Sequence, residues 1–176
     1  MSTHGLLIEL DLKAIAEDGT FSGYAATFGN VDQGGDIILP GAFVKSLAAR
    51  PAARVKMLRQ HDQSEPIGVW TSLVEDRKGL KAEGRIIVDT IKGRETHLLM
   101  KAGALDGMSI GYCVKRARFD RTKNARLIEE VELAEVSIVT FPMNPKATVT
   151  AVKNHDPDRA RRLIEAMNRA ALALRG

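Results

Sequence analysis

Three residues of types that carry out acyl transfer stand out in this 176-residue chain: His61, Ser109 and Glu135. A serine hydroxyl is a weak nucleophile until a base takes its proton. Histidine supplies that base near neutral pH, and a carboxylate on its other ring nitrogen fixes the tautomer and stabilises the imidazolium. Ser109 lies in KAGALDGMSIGYCV, residues 101–114. Read as a strand entered through a turn, the stretch places Met108, Ile110, Tyr112 and Val114 on one face and Ser109, Gly111 and Cys113 on the other. The first face is bulky and wants a core. The second is thin, and a second peptide can lie close against it. His61 shares a face with Val55, Met57 and Arg59 and is followed by Asp62 and Pro66, so it sits where a strand opens into a loop. Strict alternation from Val131 to Phe141 groups Glu135 with Val131, Leu133, Ser137, Val139 and Phe141, and a carboxylate among apolar neighbours needs a partner.

Each of the three also has a plain reading. Ser109 is then a small residue where a strand leaves its turn, His61 a structural or surface imidazole, and Glu135 half of an ion pair with an arginine. Gly107-Met108-Ser109-Ile110-Gly111 has the glycine spacing of a hydrolase elbow, but strand follows it instead of helix. The remaining histidines offer no metal spacing: His4 and His155 fall in loop or terminal positions, and His97 lies inside a helix beside Glu95 and Thr96. Asn30, Asp32 and Asp36 sit in a glycine-rich stretch whose spacing is not that of an EF-hand, so a structured turn is expected there. No cofactor and no metal is implied.

The elements that must position these residues read mostly as strands. Residues 5–15 and 21–28 alternate around Asp18-Gly19, the pattern of a hairpin. A short helix is expected over 43–49, stopped by Pro51, and a strand over 55–61. Residues 67–75 and 80–88 form the clearest hairpin. A helix over 90–102 is expected to carry an apolar stripe of Ile91, Leu98, Leu99 and Ala102 and to end at Gly103. The Ser109 strand runs on to about Phe119, and a long strand follows over 127–141 until Pro142 and Pro145 stop it. The fold class is mainly β with peripheral helices, an antiparallel barrel or sandwich in one domain.

With 44 % apolar and 27 % charged residues the chain can bury a single core. No apolar run is long enough to cross a membrane, and the start MSTHGLLIELDL lacks the pattern of a signal peptide. The single Cys113 cannot form an internal disulfide, and an intracellular protein is the expectation. The net charge of +4 owes much to the segment from Lys153, where six basic residues face three acidic ones. Asp156-Pro157-Asp158 there opens an amphipathic basic helix, residues 154–176. Nucleic acid is not favoured as a partner, since no aromatic-studded basic strand accompanies the charge.

Five blocks in order carry a resemblance: GYAATFGNVDQGGDIILPGAF (23–43), RQHDQSEPIGVW (59–70), GLKAEGRI (79–86), KAGALDGMSIGY (101–112) and ELAEVSIVTFPMNPKATV (132–149). On them the sequence resembles the prohead (capsid-maturation) serine proteases of tailed bacteriophages, distantly similar to herpesvirus assemblin. The resemblance implies a barrel-like β fold with peripheral helices. It further implies an endopeptidase that trims scaffold and major capsid protein precursors inside the assembling head, in the host cytoplasm, and also cuts itself. The family's histidine falls on His61 and its nucleophile on Ser109. The third member falls on Glu135, with Glu132 as runner-up. Residues 1–153 would then be the protease domain. Residues 154–176 would be a targeting segment removed by self-cleavage, or a helix packing in a homo-oligomer. Two other readings stay open: a non-catalytic capsid or scaffold-associated module, and a serine acyl hydrolase.

Overall fold

The computed structural model describes residues 16–149. Among them the chain runs β1 (Thr20–Thr27), β2 (Asp36–Ile38), α1 (Val44–Ala49), β3 (Lys56–Arg59), β4 (Asp62–Glu75), β5 (Gly79–Ile86), α2 (Ile91–Lys101), β6 (Gly107–Asp120) and β7 (Ala125–Val139), with one 3-10 turn over Ala52–Arg54. All seven strands belong to one sheet. Its order is β1-β5-β4-β3-β7-β2, with β6 on the other edge of β7. The mainly β, barrel-like expectation is met, with one refinement. β7 runs parallel to β2 and β3 and antiparallel to β6.

The sheet curls around a core to which Phe21, Met57, Ile67, Trp70, Met108 and Ile138 contribute, each at most 1 % exposed. Phe21 meets Trp70 edge to face at 5.5 Å, an arrangement favoured by the ring quadrupoles. The strip after β7 closes the curl. Tyr24 N–H donates to Thr148 O, and Met108 N–H donates to Ala147 O. Residues 147–149 thus lie between β1 and β6, and Gly23 makes room for them, since a Cβ there would stand 2.4 Å from Thr148 O.

Two local expectations fall on undescribed residues, and one within α2 needs correction. The proposed strand over 5–15 lies outside the described residues, as does the helix over 154–176. Among the described residues the partner of β1 is β5, with Thr20 opposite Arg85 and Thr27 opposite Gly79. α2 is capped by Thr90, whose hydroxyl accepts from Gly93 N–H at 3.0 Å, and it ends at Gly103 with φ +72°. Its buried face is Gly93, Thr96, His97 and Met100. The expected stripe fails because Ile91 and Leu98 are 86 % and 59 % exposed. His97 is instead tied to Ala16 O through Nε2 at 3.0 Å, a structural role.

Candidate active site

β6 and β7 pair residue by residue, and the pairing decides which side chains share a face. Met108 is opposite Ile138 and Ile110 opposite Val136, and these four pack on the core side. Ser109 is opposite Ser137 and Gly111 opposite Glu135, on the other side. The register then slips: Tyr112 is opposite Leu133, and Ala134 is left out as a bulge. A bulge adds one residue to one strand and inverts the alternation beyond it. Leu133 therefore lies in the core with Val136 and Ile138, and strict alternation from Val131 to Phe141 is broken between Leu133 and Glu135. Glu135 is freed from the apolar face and turned toward Ser109's.

Gly111 is what makes room for that carboxylate. A Cβ on Gly111 would stand 2.1 Å from Glu135 Oε1 and 2.8 Å from its Cδ. The thin face inferred from small residues is thus filled, from the neighbouring strand, by the acid itself.

His61 arrives from the opposite side, in the link between β3 and β4. Arg59 pairs with Asp62, so Gln60 and His61 are the two central residues of a hairpin turn, not the start of an open loop. Both have positive φ, +54° and +61°, as a type I′ turn requires. Asn-Gly suits such a turn; Gln-His does not, and each residue held there against its preference costs on the order of 1–2 kcal/mol. Hydrogen bonds to the end of β7 hold the turn. Gln60 N–H donates to Ile138 O at 2.9 Å and His61 N–H to Ser137 Oγ at 3.2 Å. The Gln60 amide donates to Thr140 Oγ1 at 2.6 Å and accepts from Thr140 N–H at 3.3 Å. Strain of this kind gathers where a side chain must be aimed.

The aim is toward Glu135. His61 Nδ1–H donates to Glu135 Oε1 at 2.6 Å, and Ser137 Oγ–H donates to Glu135 Oε2 at 2.6 Å. An ionised carboxylate only accepts, so the Nδ1 bond fixes the neutral ring with its free lone pair on Nε2. The His61 side chain remains 42 % exposed while that of Glu135 is 13 % exposed, leaving Nε2 within reach of a ligand. Ser109 is 4 % exposed, and its hydroxyl has no hydrogen-bond partner among the described residues. Directly opposed antiparallel residues have Cβ atoms about 4.5–5.5 Å apart, so Ser109 lies beside the Ser137 hydroxyl that joins Glu135 to the His61 backbone.

Glu132, the other acid considered, points elsewhere. It pairs with Lys115 at 2.6 Å and Arg50 at 3.4 Å, and the Lys115 bond holds its carboxyl below the usual range. Ser137 was visible in the sequence only as a neighbour of Glu135. Its two bonds make it the third member of the network, with His61 and Glu135.

A model of the caudovirus prohead serine protease family matches residues 8–161. A prohead protease of Enterobacteria phage HK97 is 36 % identical over 150 residues, covering 84 % of this chain and 66 % of that relative. The chain thus spans just under two thirds of that relative's length. Among solved structures, the bacteriophage T4 capsid assembly protease superposes with a TM-score of 0.56 at 14 % identity, over 70 % of this chain and 82 % of that one. The KSHV protease bound to a hexapeptide phosphonate inhibitor gives 0.50 at 12 % identity, over 74 % of this chain and 63 % of that one. At such identities the two structures bear on the fold alone.

Proposed function

The chain belongs to the caudovirus prohead serine protease family, and on that footing we propose that it is a serine endopeptidase with Ser109 as nucleophile, His61 as base and Glu135 as the orienting acid. Its substrates are the scaffold and major capsid protein precursors of a phage head, and its own chain. It works inside the assembling prohead in the host cytoplasm, as a homo-oligomer. Residues 1–153 form the protease domain, and 154–176 serve as a targeting or dimer segment.

The reaction follows from where the protons sit. Ser109 Oγ adds to the scissile carbonyl as its proton passes to His61 Nε2, and Glu135 stabilises the resulting imidazolium through Nδ1–H. Collapse of the tetrahedral intermediate breaks the C–N bond, and Nε2 returns the proton to the leaving amine. Water then adds to the acyl ester, giving a proton to Nε2, and the second collapse releases the acid and restores the serine. Backbone N–H groups at the oxyanion contribute about 3–4 kcal/mol in enzymes of this kind.

The observation that supports this reading best is the 2.6 Å bond from His61 Nδ1 to Glu135, on the face that Ser109 shares. Co-expression with a scaffold-fused capsid precursor tests it. The wild type should trim the precursor, and His61→Ala and Ser109→Ala should leave it full length; normal trimming by either variant refutes the assignment. A fluorophosphonate probe should label the wild type and not Ser109→Ala. No labelling and no trimming would indicate a non-catalytic capsid module. Labelling with rapid turnover of small esters but of no peptide would indicate an acyl hydrolase.

A further inference from the structure

Ser109 borders a pocket of about 120 Å³ that the triad does not use. That is room for one extended side chain. Ala25, Ala26, Ile38 and Ile110 give it apolar walls, and Asp32 and Asp36 stand on its polar side. Ser109 is 4 % exposed and lines the pocket with a hydroxyl that has no hydrogen-bond partner among the described residues.

The two carboxylates are not equivalent. Asp36 is 7 % exposed and held from both sides by Arg126, Nε to Oδ1 at 2.8 Å and Nη2 to Oδ2 at 2.6 Å. That charge is neutralised. Asp32 Oδ1 accepts the N–H groups of Gly34 and Asp36 at 2.8 and 2.9 Å, which shapes the loop, and no cation forms an ion pair or hydrogen bond with it among the described residues. Arg126 also acts on Asp32 through space, so Asp32, Asp36 and Arg126 together carry one net negative charge. Tyr112, also on the lining, has its phenol pushed above the ordinary range by burial first and then by the charges of Asp36 and Asp32, with Arg126 opposing. A pocket with apolar walls and a net negative charge suits a long side chain that is hydrocarbon along its stem and cationic at its tip.

We propose that this pocket receives the side chain of the substrate residue adjoining the scissile bond and selects lysine or arginine there, with Asp32 as the specificity-determining carboxylate. The proposal rests on the serine endopeptidase reading. Asp36 with Arg126 fixes the pocket's edge, and Asp32 meets the incoming ammonium or guanidinium.

The test is cleavage of a mixed peptide library by the full chain, read by mass spectrometry, followed by kcat/KM on matched peptides carrying lysine or its uncharged isostere norleucine. Lysine and arginine should be enriched beside the cut bond, and lysine should exceed norleucine by about tenfold, the scale of one charge-assisted contact. Asp32→Asn keeps the Oδ1 acceptor that the loop needs, and it should bring lysine and norleucine to similar kcat/KM while fluorophosphonate labelling of Ser109 stays unchanged. Labelling with no basic preference, or a lysine preference that survives Asp32→Asn, overturns the pocket assignment and leaves the triad standing. Absence of labelling and of all peptide cleavage would overturn the endopeptidase reading, and the pocket assignment with it.

Discussion

The two ends of the β6–β7 ribbon are built from the same two strands and do opposite things. At the Ser109 end the facing side chains are small or polar, and mostly shielded from water. Ser109, Gly111, Glu135 and Ser137 sit under a strained turn that delivers His61. At the far end, residues 115–119 are exposed and are held to the neighbouring strand by ion pairs. Arg116 and Arg118 share Glu129 at 2.8 and 3.0 Å, and Lys115 reaches Glu132. Exposed pairs of that kind contribute at most about 1 kcal/mol. A half-buried carboxylate held by two hydrogen bonds is different, because losing a partner leaves it uncompensated. Polar groups at one end are placed for geometry, and at the other they keep a long ribbon soluble. The contrast predicts steeply unequal responses to substitution.

Removing the His61 imidazole should have the largest effect. His61→Ala should lower kcat/KM on a precursor-derived peptide by roughly 10⁴–10⁶-fold, with a melting temperature below wild type, because alanine keeps the Cβ at positive φ and Glu135 loses its Nδ1–H partner. Gly111→Ala should follow. Its methyl would collide with the Glu135 carboxyl, and breaking the acid's alignment should cost on the order of 10²–10⁴-fold in kcat. Thermal unfolding should report a further loss of about 1–3 kcal/mol from overpacking. If Gly111→Ala retains full activity, Glu135 is not the orienting acid.

Ser137→Ala comes next. It removes the donor to Glu135 Oε2 and the acceptor of His61 N–H, so kcat should fall about tenfold while KM holds, and stability should drop by about 1–3 kcal/mol. A change confined to stability would reduce Ser137 to a structural residue. At the far end, Glu129→Gln removes the acid shared by two arginines, yet it should shift stability by less than about 1 kcal/mol and leave kcat/KM unchanged. A large loss of activity there would erase the distinction between the two ends.

The same distinction tells which parts of the molecule could be read from the chain. Most of the longer strands among the described residues and the α2 boundaries were legible, because alternation, the Thr90 cap and the Gly103 stop are local signals, and residue type singled out His61, Ser109 and Glu135 as candidates. The bulge at Ala134 was not, since one extra residue leaves no mark in a pattern of alternating polarity, and it alone decides which way Glu135 faces. The Gln60-His61 turn was equally hidden: neither residue favours positive φ, and only contacts to Ile138, Ser137 and Thr140 hold them there. Nor does sequence order reveal that β7 runs parallel to both β2 and β3. The exposed Ile91 and Leu98 mislead because helical spacing says which residues share a stripe, not which stripe meets the core.

The seam formed by residues 147–149 bears on any shortening of the carboxyl end. Tyr24 and Met108 donate their amides to carbonyls of this short run, one residue before Ser109 on the second strand. A cut before Ala147 would unlatch both strands and loosen the floor beneath Ser109, whereas a cut after Val149 would leave the latch fastened. Any shortening of the chain therefore meets a structural limit at Ala147, beyond which the strand that carries Ser109 loses its anchor.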